Sequence, residues 1–550
     1  MADVVGSMGL NQTQKQEIRQ ILRAHSSPPP SISSTISSLA ADLARCDSLI
    51  SHLQVERDEI QRQYTDCQSL SAPIRCLPSE ILVEIFRICW DSFKSTDIES
   101  LSSEDEILRL ARAPLLVLSR VCIRWHTIVL HTPVLWHDVL LDANLWTAQD
   151  LSYRTAMELL RATLERSGTH PISISMSMAS TLDSWPYVPA LALVAKHLHR
   201  CHLLDLQCPY SDLPHLPGLA VDLSRLQVLL LDCWGPVPDA ESGLQLLQNC
   251  PQLRIVDVTA VGTGDDIAFY ALLPWEQLSY VSVRLSMQQI GSNMLAVALP
   301  RVPADSTLRL YFYLSPELTD NPLRGLSFES QISKLIIQVS DMDSAAQSAT
   351  ALEYILPTFA LPSLENLTIL TSESEHSTEL PLSWPCSQFL SLSERSSFHL
   401  HLTALHPFDV AISESDILKA LAILPELETF TVCDHPPSSL TGVGEQIAVT
   451  DTLLTSLTHN EKSPYLVPKL NTFECESMLR FDDRVYLDFI LSRIENLDES
   501  DTFECTLWWR PGYHRELDSV VSGRIRELCE AKDLTFWFME AEKKCDIGLG

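Results

Sequence analysis

The sequence is poor in positive charge. Its 39 Lys and Arg stand against 71 Asp and Glu, a net charge of −32. Phosphate binding needs clustered cations that displace counterions, so this balance argues against DNA or RNA as a partner. It argues equally against an anionic membrane surface. Paired cysteines are lacking too. The 15 cysteines are scattered singly with no CxxC pair, the nearest spacings being Cys201 to Cys208 and Cys67 to Cys76. That disfavours a zinc ribbon and a disulfide framework. Several thiols lie in apolar runs, such as Cys89 in IFRICW and Cys433 in FTVC, where cysteine acts as a small hydrophobe. A reducing compartment is the expectation. No run of about 18 uncharged apolar residues occurs, so no membrane-spanning helix is expected. The opening MADVVGSMGLNQTQKQ lacks the basic-then-apolar order of a secretory signal. The chain reads as soluble and intracellular, in the cytoplasm, the nucleus or both.

Catalytic signatures are missing as well. There is no G-x-S-x-G elbow, no P-loop and no HExxH. Gly262-Thr-Gly264 lacks the Lys and third Gly of a phosphate cradle and reads as a turn. Asp341-Met-Asp343 lacks the Gly and final Glu of a calcium loop. His197, His199 and His202 straddle a predicted helix end and strand start, so they do not converge on a metal. His399 and His401 share one face of a predicted strand, with no carboxylate or Cys beside them in sequence. The expectation is a protein without catalytic residues, metal or cofactor.

What is present is apolar patterning. At 45% hydrophobic, 550 residues allow three or four domains or one long repeat array. The charge is uneven: residues 1–140 hold 13 basic and 17 acidic residues, and the remaining 410 hold 26 and 54. The acidity belongs to the C-terminal part, where it either solvates the surface or suits a basic partner. Residues 1–32 read as flexible, with a short amphipathic turn at Ile18, Ile21 and Leu22 and a break at Pro28-Pro29-Pro30. Over 33–71, Ile36, Leu39, Leu43, Cys46, Ile50, Leu53, Ile60, Tyr64 and Cys67 are spaced 3, 4, 3, 4, 3, 7, 4 and 3, with Arg57 in the gap. This a/d seam predicts a coiled-coil-like helix, capped by Ser33 or Ser34, that packs on its own domain or on a second copy.

The next block, 72–140, carries the sharpest pattern. In Leu77-Pro78-Ser79-Glu80-Ile81-Leu82-Val83-Glu84-Ile85-Phe86, proline opens a helix whose Ile81, Leu82, Ile85 and Phe86 form one stripe. An acidic, Ser-rich stretch from Asp91 to Glu106 reads as a loop. Leu118, Val121, Cys122, Trp125, Ile128 and Val129 then predict one continuous helical face, ended by Pro133, with Leu135 and Trp136 folding back onto it. LPSEILVEIF, LSRVCIRW and HTPVLW together resemble an F-box of the kind expanded in mushroom-forming (basidiomycete) fungi. The flanking SAPIRC and LLRATLERSGTHPISISM resemble that family too. The resemblance covers Leu77 to Trp136 and departs from it in the long insert between Asp91 and Arg112. It implies docking to the Skp-type adaptor of a cullin–RING ubiquitin ligase through Leu77, Pro78, Ile81, Ile85, Phe86, Leu118, Val121 and Trp125, about half of which also hold the box's own helices together. Arg109, Arg112, Arg120 and Arg124 would suit an acidic adaptor or simply solvate the helix.

After a connecting helix and strand over 141–196, one frame recurs through 197–550: h-x-x-L-x-x-h-x-h. Its clear copies run Leu223-Leu226-Leu229-Leu231, Cys250-Leu253-Val256-Val258, Trp275-Leu278-Val281-Val283, Leu361-Leu364-Leu367-Ile369, Leu424-Leu427-Phe430-Val432 and Val467-Leu470-Phe473-Cys475. Weaker copies centre on Leu203, Leu308 and Ile332, and a further one falls at Leu400-Leu402. Helix-like stretches at Asp239–Gln248, Asp341–Leu356, Ser415–Ile423 and Asp482–Ile494 lie between, and Glu516–Ala531 with Leu534–Phe538 would cap the end. The fold class expected is α/β: an N-terminal coiled-coil helix, a small all-α F-box and a leucine-rich-repeat-like solenoid with a curved parallel sheet. The rival is a doubly wound α/β domain. Trp508-Trp509 is either end-capping core or an exposed anchor. Residues flanking the inward strand pair, namely Asp232, Asp257, Tyr280, Arg284, Gln338, Glu474 and Glu476, are the candidate target-binding set.

Three readings remain open at this stage. The first is a non-catalytic substrate receptor of an SCF-type ligase, linked to cullin by its adaptor and binding a protein target, for which the acid excess suits a basic one. The second is an F-box scaffold that oligomerises through its coil, and the third an enzyme with a cryptic site in the acidic domain.

Overall fold

Among the described residues of the computed structural model, fourteen β-strands lie in one parallel sheet, and their spatial order is their order in the chain. The structure describes residues 10, 12–24, 30–94, 114–142, 153–177, 187–209, 222–234, 250–261, 273–286, 298–314, 327–341, 350–371, 382–408, 410–436, 445–459, 466–495, 502–510, 512–531 and 534–540. The chain divides into two units, Met1–Cys89 and Trp90–Gly550.

The first unit is helical. A helix spans Gln12–Ala24, longer than the turn that Ile18, Ile21 and Leu22 predict. A 39-residue helix follows at Ile32–Leu70, and no side chain of either is buried. The long helix is not capped by Ser33 or Ser34. Ser31 occupies the cap without a side-chain bond, and Ser34 instead donates to the Ser31 carbonyl at 2.7 Å. A 3₁₀ turn at Pro73–Cys76 leads to Leu77, which is extended, as a residue before proline must be. The helix Ser79–Lys94 starts immediately after Pro78.

In the second unit the strands are β1 (Asp138–Asp142), β2 (Ile172–Ser177), β3 (Cys201–Pro209), β4 (Val228–Trp234), β5 (Ile255–Val261), β6 (Tyr280–Ser286) and β7 (Thr307–Leu314). They continue as β8 (Phe328–Glu329), β9 (Lys334–Asp341), β10 (Phe359–Ala360), β11 (Asn366–Thr371), β12 (Leu382–Ser383), β13 (Ala404–Pro407) and β14 (Val410–Ala411). The last are β15 (Thr429–Cys433), β16 (Thr472–Ser477), β17 (Phe503–Trp509) and β18 (Leu534–Glu540). The two-residue strands pair apart from the main sheet, β8 with β10 and β12 with β14. A doubly wound sheet would reverse its order at a switch point; this one does not. The sheet begins at Asp138, so the connecting segment 141–196 contributes to it through the end of β1 and β2.

β2 and β16 bury strictly alternate residues, whereas β11, β15 and β17 bury runs of three or four. All 24 positions of the six clear frame copies are buried, from Leu223 to Cys475. The weaker copies shift. The register pairs Leu204 with Leu229 and Leu308 with Val281, so the positions aligned with the entry leucines are Cys201, which is buried, and Asp305, which is exposed, rather than Leu203 and Leu308. Entries then fall at 201, 226, 253, 278, 305 and 332, in steps of 25, 27, 25, 27 and 27. The copy near Leu400 enters at buried Leu402, while Leu400 itself is exposed. Burial pushes the Cys201, Cys250 and Cys505 thiols up to about 12, and they pack as small apolar groups.

Helices at Tyr187–Ala195, Ala351–Ile355, Cys386–Ser396, Glu414–Ala422, Asp451–Leu457, Asp483–Ile494 and Ser519–Ala531 lie between strands. The stretches 239–248 and 342–349 fall outside the described residues. Two buried guanidiniums bridge element ends. Arg200 donates to the carbonyls of Leu164 at 3.0 Å and His170 at 2.7 Å, satisfying groups that a helix end leaves orphaned. Arg493 donates to the carbonyl of Leu457, at a helix end, and to those of Val467, at 2.7 Å, and Leu466, at 3.0 Å, in the segment leading to β16.

Candidate functional site

Two sets of side chains are candidates for docking. The first lies in 72–142. In the first unit the helical stripe read from sequence splits in two. Leu82 and Phe86, one turn apart, are fully buried, whereas Ile81 is 48% exposed and Ile85 half-buried. Residues 81, 85 and 88 share the outward face, and Ile88 and Ile74 are also exposed. Pro78 is exposed and Leu77 half-buried. Phe86, a member of the expected adaptor set, has no exposed surface in the lone chain.

In the second unit the continuous helical face over 118–129 is broken. One helix spans Pro114–Leu118 and another Ile123–His131. Cys122 is fully extended between them, and its sulfur accepts the Trp125 N–H at 3.5 Å, so a cap interrupts what periodicity alone reads as one helix. Leu115 and Val129 face the core. Val117, Val121 and Ile123 are exposed, Ile123 most of all, and Leu118 and Trp125 are half-buried. Leu135 and Trp136 fold back, the indole donating to the Val129 carbonyl at 2.6 Å while Arg166 sits over its ring. Trp90 donates to Asp138 at 2.9 Å. Arg120 and Arg124 are exposed; Arg109 and Arg112 lie outside the described residues. Sequence reasoning passed over Ile74, Ile88, Val117 and Ile123. Their signal is their offset of one or two positions from the buried stripe.

The second set lies on the face of the sheet opposite its core. Asp232, Asp257, Tyr280, Arg284, Glu474 and Glu476 are half-buried there, and Gln338 is buried. Burial pushes the Asp205, Asp232 and Asp257 carboxyls up. The Ser175 hydroxyl, donating to Asp205 at 2.6 Å, and the Arg284 charge beside Asp232 and Asp257 pull back. Arg309 donates to the Gln338 carbonyl oxygen at 2.6 and 3.2 Å, so this amide is engaged inside the sheet. Arg284 and Arg309 both stand over the Tyr311 ring, at 5.1 and 4.7 Å. Thr431 donates to Glu474 at 3.1 Å, and Arg510 pairs with Glu476 at 3.2 Å. The face is therefore ordered by strand: three carboxylates on β3 to β5, then two guanidiniums and the phenols of Tyr280 and Tyr311 on β6 and β7. Arg309 and Tyr311 escaped sequence reasoning because centring the frame on Leu308 rather than position 305 slips it by three residues, and any odd slip exchanges the faces of the strand.

The histidines find separate partners. His199 meets the Lys196 carbonyl at 3.0 Å, His197 meets Arg200 at 3.2 Å and His202 meets Ser173 at 3.3 Å. His399 sits in a 3₁₀ turn and His401 just beyond it, not on a strand as expected. Among the described residues no group of three His, Cys, Asp or Glu could hold a metal ion. No helix among them is long and apolar enough to cross a membrane. Trp509 packs on His514 and Phe538, and Trp508 is half-buried.

Residues 74–142 match the F-box-like family model. Domains of this family typically bind Skp-type adaptors, which links the chain to that adaptor and to possible involvement in an SCF complex. No curated protein matches the chain.

Proposed function

We propose that this chain is the substrate-recognition subunit of an SCF-type cullin–RING ubiquitin ligase, working in the cytoplasm, the nucleus or both. The observation that carries the reading is the F-box-like match over 74–142. The exposed Ile81 in one unit and Val121 and Ile123 in the other support it, since apolar groups left in water on short helices suit a partner. In this reading the adaptor bridges to cullin. The parallel sheet, with its repeating entry positions, is a divergent leucine-rich-repeat-like solenoid that holds a protein target on its polar face. The carboxylates Asp205, Asp232 and Asp257 favour a target segment with basic side chains. The chain contributes proximity, with no catalytic residue or cofactor of its own. Its likeness to the F-box proteins expanded in basidiomycetes fits the same reading.

The test is co-purification of the full chain with a Skp-type adaptor. Pro78→Ala combined with Ile81→Lys is expected to abolish the complex, because a lysine forced into an apolar contact without a partner costs several kcal/mol. Both positions are solvent-facing, so the unbound chain should keep its stability. Adaptor binding that survives the double change refutes the docking assignment.

A second reading, an F-box scaffold that oligomerises through its long helix, is favoured by one observation: no residue of Ile32–Leu70 is buried.

A further inference from the structure

The helix Ile32–Leu70 has an apolar seam that its own chain leaves open over most of its length, Leu39 and Cys46 being half-buried. Ile36, Leu43, Ile50, Leu53, Ile60 and Tyr64 are 47–65% exposed. In proteins most helical stability comes from packing an apolar face, so a helix of this length with its seam in water lacks its main support. The seam follows one heptad frame, with a positions at 36, 43, 50, 57 and 64 and d positions at 39, 46, 53, 60 and 67.

We propose that the seam is closed by the same helix of a second copy, running antiparallel, with Ile50 of each copy against Leu53 of the other across the two-fold axis. This deepens the scaffold reading above and rests on it. Two features select the direction. The first is symmetry of the seam. Reversing the helix about its midpoint brings every a position onto a d position: Ile36 meets Cys67, Leu39 meets Tyr64 and Leu43 meets Ile60 of the second copy. The overlap is complete and isologous, so assembly stops at two.

The second feature is charge. In a parallel, in-register pair Arg57 faces Arg57 inside the seam. Asp42, at a g position, then faces Asp47, at an e position, on both flanks. Like charges set opposite one another select against that arrangement. In the antiparallel pair Arg57 falls opposite Cys46 and next to Asp47 of the second copy. Asp42 then faces Gln63, and Asp47 faces Gln54. Every like-charge pair is removed, and the one cation of the seam gains an acidic neighbour.

The experiment uses the full chain. Light scattering is expected to return about twice the 61.7 kDa mass. Ile50→Lys with Leu53→Lys is expected to return the single mass without changing the melting of the sheet, because both residues are solvent-facing in the lone chain. Direction is read by oxidative cross-linking and peptide mapping of Ile36→Cys. The new thiol is expected to link to Cys67, a bond that must join two copies because the positions are about 46 Å apart along one helix. Links from position 36 to itself, or from Cys46 to Cys46, would show a parallel pair; they would overturn this proposal and leave the scaffold reading standing. A single mass at every concentration reached would overturn both.

Discussion

Asp434 is the most tightly held carboxylate among the described residues with printed partners. It has no exposed surface. One oxygen accepts the Ala448 and Val449 N–H groups at 2.7 and 2.8 Å; the other accepts the Ser477 hydroxyl at 2.8 Å and the Met478 N–H at 2.9 Å. Burial pushes its carboxyl up and these four bonds pull it back. Asp434→Ala strands the four donors, so urea unfolding should show a loss of about 3 kcal/mol or more. His435 beside it is kept neutral. Burial, with the nearby Arg510 charge, lowers its pKa to about 3. The unfolded chain, with a histidine pKa of about 6.5, binds that proton over the interval between, so stability falls as pH drops from about 6.5 toward 3. The full slope is about 1.4 kcal/mol per pH unit, which makes the His435 share about 2 kcal/mol between pH 7 and 5. The buried aspartates run the other way: their raised carboxyls favour the folded state as pH falls. The measurement is therefore a difference. His435→Asn should lose less stability than the parent between those two pH values, and equal losses would refute the assignment.

At the scale of the element, the repeating unit is an entry residue followed by two inward strand residues. Leu253 is such an entry and has no exposed surface, whereas Leu400 stands 57% exposed only two residues from the true entry Leu402. Leu253→Ala should cost about 2–5 kcal/mol in a denaturant titration, through lost burial and the cavity left behind. Leu400→Ala should stay within about 0.5 kcal/mol. Similar values at the two sites would mean that the register is misread. The same element carries an unusual backbone. Val467, a β-branched residue three positions before the entry Leu470, has φ of 46°, and its carbonyl is gripped by buried Arg493 at 2.7 Å. A conformation that valine avoids is held by a bond from a helix further along the chain.

For the whole molecule, the polar face of the sheet is the surface on which the receptor reading stands. Its acidic residues are half-buried rather than free, and Asp257 lies within the field of Arg284 and Arg309. Reversal to lysine would therefore disturb the sheet as well as a partner. Asp232→Asn with Asp257→Asn removes the charge and keeps the shape. It should reduce capture of basic targets in proximity labelling while stability shifts by no more than about 0.5 kcal/mol. An unchanged interactome would move target binding off this face. A large loss of stability would show instead that the carboxylates serve to neutralise the two arginines.

Much of this was settled by local pattern. LPSEILVEIF and HTPVLW needed no tertiary information to suggest a small helical box, and the six clear frame copies set the strands because period-2 alternation is a property of the chain alone. The helix over 32–70 followed from its heptads in the same way. What lay beyond the sequence depended on neighbours. Asp305 and Cys201 took entry positions without a leucine, and only pairing with β6 and β4 fixed the register of their strands. Cys122 broke a helix that periodicity drew as continuous, because a cap competes with the helical bond at a cost too small to read from composition. Phe86 and Ile81 look alike in sequence. Which of them is core was decided by packing, since one apolar stripe can serve both an interior and a partner and the chain alone does not say where one ends.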